Sequence, residues 1–300
     1  MSTPTTTTHI SSTVPAYIQL KKPVLCVDYG WDAIRFALIP ECPTLQDLQG
    51  VKITVMQHDP KEFESLLSPD GPLAFLSSST VESVAFSFCG PVSDDRKTFL
   101  NLYKKTTTPF PAKVGTTVMG ANDGTCSMVG ADFLLRLLNK EPKYPFLSLA
   151  LGNAVGVGIG FFPDNSYTSF EISEASIPYK NLEESERLAT PSQQPHPHNV
   201  LGSTVFQNYV KHVSATIEDL NAYLQSAEGI HIKDCVIGGE NSVVLPEGPA
   251  TLLGPKQLRD LNLDPNILPL LGAAVLSNNP EFPTATLPSF DTLVQKYTQN

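Results

Sequence analysis

Three hundred residues, 41% of them hydrophobic, give enough apolar material for two globular units, since single cores stop growing near this length. A net charge of −10, from 20 basic against 30 acidic residues, together with the absence of any Lys/Arg stripe interleaved with aromatics, argues against a nucleic-acid backbone or an anionic membrane surface as partner. Small molecules are the expected ligands.

The first twenty residues are rich in Ser and Thr and lack both a basic start and a continuous apolar core, so they read as a disordered tail, 1–20, rather than a secretory signal. No apolar run reaches the roughly 18 residues that span a bilayer. Cys26, Cys42, Cys89, Cys126 and Cys235 are widely spaced, odd in number and without a C-x-x-C pair, which fits reduced thiols in a cytoplasm better than a disulfide framework or a zinc knuckle.

From Lys22 the pattern is β: PVLCVDYG, DAIRFALIP and VKITVMQH, followed by DPKEFESLL at helical period after an Asp-Pro start. VESVAFSFCGPV is a further buried strand that ends in a Gly90-Pro91 turn, where backbone can face a ligand at a carboxyl edge. Residues 94–113 read as polar and irregular. A short strand over 114–120 leads into Asn122-Asp123-Gly124, and helical spacing then continues through Leu138, which puts Asp123 at a helix N-terminus.

In FLSLALGNAVGVGIGFF, residues 146–162, two apolar β runs meet at closely spaced glycines. Gly152, Gly156, Gly158 and Gly160 lack Cβ atoms where backbone must come close to a neighbour, and N–H groups in such a hairpin can cradle an anion. Glycines that serve only the bend and the packing are the plainer alternative. PDNSYTSFEISEASIPY, the acidic LEESER and the Pro/His-rich PSQQPHPHN read as loop. An amphipathic helix over 205–227, a strand in IKDCVIGGENS ending in Gly238-Gly239, the apolar helix ILPLLGAAVLS and a terminal helix complete the chain.

Five landmarks in this order, VDYGWDAIRFALI, VAFSFCGPV, NDGTCSMVGA, LALGNAVGVGIGFF and CVIGGE, resemble the bacterial glucokinase branch of the actin-like sugar kinases, which includes the repressor, open reading frame and kinase (ROK) group. The resemblance implies a two-lobed actin-like ATPase fold of the ribonuclease H-like, hexokinase-superfamily kind, α/β with mixed sheets and a cleft between lobes. A small lobe over 21–121, joined by a C-terminal helix within 284–300, and a large lobe over 122–283 are expected. It also implies transfer of the ATP γ-phosphoryl group to a hexose 6-hydroxyl with Mg²⁺, and a possible homodimer.

Residue by residue, Asp28 matches the first phosphate loop and would hold the Mg²⁺ shell indirectly, with Gly30 following in register. Asn122 and Asp123 match the pair that grips the sugar, Asp123 as general base for the hydroxyl under attack. Asn101 and Glu171 match further sugar contacts. Glu174 stands where the family has His and His198 where it has a second Glu, as if the two had exchanged places. Gly152, Asn153, Gly156 and Gly158 match the second phosphate loop, Gly238 and Gly239 the turn along adenosine, and Leu271-Gly272-Ala273-Ala274 the helix on the purine side. The cysteine loop that binds structural zinc in the wider group is missing, so no such zinc is expected.

The departures fall on the phosphate side. Trp31 and Asp32 replace a Gly and a Thr, so a carboxylate faces the triphosphate at a cost of about 4 kcal/mol for about 4 Å and an effective dielectric near 20. Asn153-Ala154 replaces Thr-Gly, removing a hydroxyl donor and adding a Cβ. These four residues count against ATP and Mg²⁺. Two functions therefore stand side by side: a glucokinase-like hexose kinase, and a non-catalytic sugar-binding relative acting as sensor or scaffold.

Overall fold

The computed structural model describes residues 19–30, 33–57, 71, 81–101, 104–111, 116–140, 142, 146–151, 155–160, 167–171, 234–238, 251–282, 284–286 and 290–299. The expected helices over 59–67 and 205–227 and most of the N-terminal tail lie outside these residues. Leu20, expected in that tail, is buried, and Asn278 Oδ1 accepts from the Lys21 and Lys22 backbone N–H groups at 2.8 and 3.0 Å.

Five strands form the first sheet in the order β3-β2-β1-β4-β7: β1 (Val24–Tyr29), β2 (Ala33–Ile39), β3 (Thr54–Gln57), β4 (Ser83–Phe88) and β7 (Thr117–Asn122). β1 runs antiparallel to β2 and β2 to β3, whereas β1, β4 and β7 are parallel. A short helix, α1 (Leu45–Gln49), started by a Thr44–Asp47 capping box, separates β2 from β3. Residues 94–113, expected to be irregular, contain the hairpin β5 (Thr98–Asn101) and β6 (Thr106–Pro109). Its polar TTT run hides the strand pattern, but Phe99 and Phe110 bury themselves among Phe86 and Phe88, with ring centroids 4.5 to 5.1 Å apart in the closest pairs.

The second sheet has the order β12-β11-β8-β9-β10-β13, with β8 (Phe146–Leu151), β9 (Val155–Gly160), β10 (Tyr167–Glu171), β11 (Asp234–Gly238), β12 (Thr251–Leu253) and β13 (Thr284–Thr286). β8–β9 and β9–β10 are antiparallel; β8–β11 and β11–β12 are parallel. Apart from β13, which pairs in parallel with β10, this repeats the order and directions of the first sheet. The fold is thus a mixed α/β duplication. β10 occupies part of a stretch read above as loop, because TSFE has only one large apolar residue to signal a strand.

Between the sheets lie α2 (Asp123–Leu137), which follows β7 and packs on β8 and β9, and α4 (Ile267–Asn278), which follows β12 and the short helix α3 (Pro255–Asp260) and packs on β1 and β4. Each sheet thus receives the helix that follows the other. β4 alternates Ser83, Ala85 and Ser87 with Val84, Phe86 and Phe88; Ala85 joins the core shared with α4, and the bulky set builds the aromatic core on the opposite face. The C-terminal α5 (Phe290–Thr298) touches β6. None of the helices among the described residues is long and apolar enough to cross a membrane.

The two central helices touch backbone to backbone. A Cβ on Gly272 would overlap the Cys126 carbonyl oxygen, and one on Gly130 would overlap that of Leu268. Leu271, Gly272, Ala273 and Ala274 are buried, and Gly272 lies on this contact. Gly272→Ala and Gly130→Ala should each destabilise the protein by about 3 kcal/mol, the upper part of the overpacking range, as measured by urea unfolding.

Candidate functional site

Because β1, β4 and β7 are parallel, their carboxyl ends share one edge, the position where open α/β sheets bind ligands. Asp28 lies near the end of β1, opposite Arg35 on β2 and Ser87 on β4. It is 7% exposed, yet both oxygens are engaged: Oδ1 accepts the Ser87 hydroxyl at 2.7 Å, and Oδ2 meets Arg35 Nη1 at 3.4 Å. Arg35 is 6% exposed, so the ion pair is held out of water. The Gly30 N–H donates to the Ala33 carbonyl at 3.0 Å, closing the hairpin across residues 31–32, which lie outside the described residues. A Cβ on Gly30 would stand 3.1 Å from Arg35 Nη1, so the guanidinium fills the space below this turn.

Asn122 ends β7 and caps α2. Its side-chain oxygen accepts from the N–H groups of Gly124 at 2.9 Å and Thr125 at 3.4 Å, and its amide donates to the Gly90 carbonyl at 3.3 Å. The cap therefore binds the helix start to the turn that leaves β4. Asp123, the first helical residue, is half-buried and accepts from the Gly124 N–H at 2.7 Å. Its carboxylate sits at the positive end of the helix.

A buried thiol reports how near the two carboxylates are. Burial, followed by the charges of Asp28 and Asp123, pushes Cys126 well above its usual range, and a hydrogen bond with Ser87 pulls the other way. Asp28, Ser87, Asp123 and Cys126 thus share one electrostatic neighbourhood. Asn101 comes to the same edge, since Leu100 N–H donates to the Pro91 carbonyl at 3.0 Å, next to the Gly90 that Asn122 holds. The Asn101 oxygen accepts from Lys104 N–H at 3.0 Å.

On the second sheet, Gly238, Ala150, Gly156 and Glu171 form one row across four neighbouring strands, at the end of β11, β8 and β10 and the start of β9. Gly152, Asn153 and Ala154, matched above to the second phosphate loop, lie outside the described residues, as do Glu174, His198 and Gly239. Gly156 and Gly158 are strand residues, not turn residues. A Cβ on Gly158 would come within 2.5 Å of the Gly124 carbonyl and 2.7 Å of Met128 Cβ, so its bareness is required by α2. That contact sets the helix carrying Asp123 against the strand carrying Gly156, and Leu268 of α4 presses likewise on Gly238.

The donors around Asp28 do not fit the divalent cation implied by the resemblance. The Asp28 oxygens already accept from a hydroxyl and lie against a guanidinium, whose buried positive charge opposes a divalent cation there. Arg35 and Ser87 were missed in the sequence. The signal was present for one of them: a two-residue turn at 31–32 places residue 28 opposite residue 35.

No protein-family model matches the chain, and no curated protein sequence does. Solved structures similar to it are sugar kinases. A ROK family glucokinase from Streptomyces griseus, solved with glucose and AMPPNP, is 17% identical, with a TM-score of 0.46 over 85% of this chain and 99% of that one. The inorganic polyphosphate/ATP-glucomannokinase from Arthrobacter sp. strain KM is 14% identical, with a TM-score of 0.47 over 85% and 97% of the two chains. The ROK hexokinase from Thermus thermophilus is 13% identical, with a TM-score of 0.46 and the same two coverages of 85% and 97%.

Removing the Asn122 side chain should release both the helix cap and the Gly90 tether. Asn122→Ala is expected to lower unfolding stability by about 1–2 kcal/mol in denaturant titrations.

Proposed function

We propose that the chain binds a hexose at the carboxyl edge of β1, β4 and β7 and transfers a phosphoryl group from ATP to its 6-hydroxyl, in the manner of a glucokinase. The observation that carries this reading is Asp123: a half-buried carboxylate at a helix start, fixed by the Asn122 cap and within the electrostatic reach of the same buried thiol as Asp28. In this role Asp123 accepts the proton of the 6-hydroxyl while its oxygen bonds to phosphorus and the bond to the departing ADP breaks. Asn122, Asn101 and Glu171 hold the other hydroxyls. The row from Gly238 to Gly156 supplies a small-residue edge along which a nucleotide can lie.

One observation favours a second reading, in which the chain holds a sugar without turning over ATP. Asp28 is spoken for by Arg35 and Ser87, and the sequence that follows has Trp31 and Asp32 where the resemblance implies Gly and Thr. Sugar recognition is common to both readings, and chemistry separates them.

A coupled assay of ADP release with glucose and other hexoses decides between them. Under the kinase reading Asp123→Ala lowers kcat by about 10²–10⁴-fold. Absence of ADP release from the native chain, with activity gained on replacing Trp31 by Gly and Asp32 by Thr, would select the second reading. In either case glucose at about 100 times its Kd should stabilise the fold by about 2.7 kcal/mol, seen as a raised Tm. A Tm indifferent to every hexose would remove both.

A further inference from the structure

We propose that Arg35 is the resident cation of this site: its guanidinium takes the place a divalent ion would have at Asp28, so that Asp28 holds no metal. The inference concerns the same edge as the proposed function, but its cation chemistry stands whether or not the chain turns over ATP.

Three observations converge on it. Asp28 and Arg35 are directly opposed in the β1–β2 register, so the pair is built into the hairpin and needs no loop to bring it together. Both residues are more than nine-tenths buried, and the carboxylate is shared between Arg35 Nη1 at 3.4 Å and the Ser87 hydroxyl at 2.7 Å. The guanidinium also lies 3.1 Å from where a Gly30 Cβ would stand, which puts its charge directly under the turn and leaves Gly30 as the residue that makes room for it. A planar guanidinium keeps its charge at any working pH and presents several N–H donors, which suits it to phosphate oxygens as well as to a carboxylate. A divalent ion brought to Asp28 would compete with both donors for the carboxylate and sit beside a buried positive charge.

The test is a titration of the full-length chain with Mn²⁺ alone, followed by the loss of the free-ion electron paramagnetic resonance signal, for wild type, Asp28→Asn, Arg35→Gln and Arg35→Met. Wild type and Asp28→Asn should bind Mn²⁺ equally poorly. Freeing the carboxylate in Arg35→Gln or Arg35→Met should raise Mn²⁺ affinity by roughly tenfold or more, and Asp28→Asn in the same background should abolish the gain. Arg35→Lys, which keeps the charge, should behave as wild type, so that the gain tracks loss of the positive charge and not the change of side chain. Wild-type Mn²⁺ binding that Asp28→Asn removes would overturn the inference, as would folded Arg35→Gln and Arg35→Met proteins with no gain. Should both neutral variants fail to fold by circular dichroism, the wild-type and Asp28→Asn comparison still decides. A chain without ADP release but with this Mn²⁺ pattern would lose the kinase reading and keep the resident cation.

Discussion

The backbone contact between α2 and α4 is the constraint from which the rest follows. Gly130 and Gly272 let the two helices approach until carbonyl oxygens of one lie where side chains of the other would be, and only glycine fits there. Because α2 extends from the first sheet and packs on the second, while α4 extends from the second and packs on the first, this one contact locks two copies of the same strand order together. It also fixes the start of α2, and with it Asp123, relative to β9 through Gly158.

Electrostatics at the carboxyl edge depend on that placement. Two carboxylates and a thiol are gathered where the sheet ends, and a buried guanidinium offsets one of the negative charges. Burying such a pair stabilises little on its own, since desolvation cancels much of the attraction; leaving Asp28 buried without Arg35 would be far worse. The first hairpin is therefore committed to an arginine by its own geometry. Asp123 differs in kind: half-buried at a helix start, it keeps contact with solvent and with whatever enters from that side.

Much of the architecture was legible from residues. Alternating apolar runs marked β1, β2, β4, β8, β9 and β11, and helical spacing after Asn122 marked α2 to within a residue. Elements with weak local signals were not legible: β5 and β6, whose strand character comes from burying Phe99 and Phe110 among aromatics distant in sequence, and β10, whose pairing with β9 supplies what its composition does not. The sugar-side pair Asn122-Asp123 could be named in advance because capping and function ask for the same residue types.

By itself the sequence determined the strand-rich frame, the helix start at Asp123 and the glycine-bearing hairpin, since these depend on neighbours a few positions apart. Only the tertiary structure decided which glycines face a helix and which face a turn, that Leu271 to Ala274 are interior, and that Asp28 is bound to Ser87. Such assignments rest on what lies across a sheet or a helix contact, and local pattern carries no information about a partner that distant in sequence.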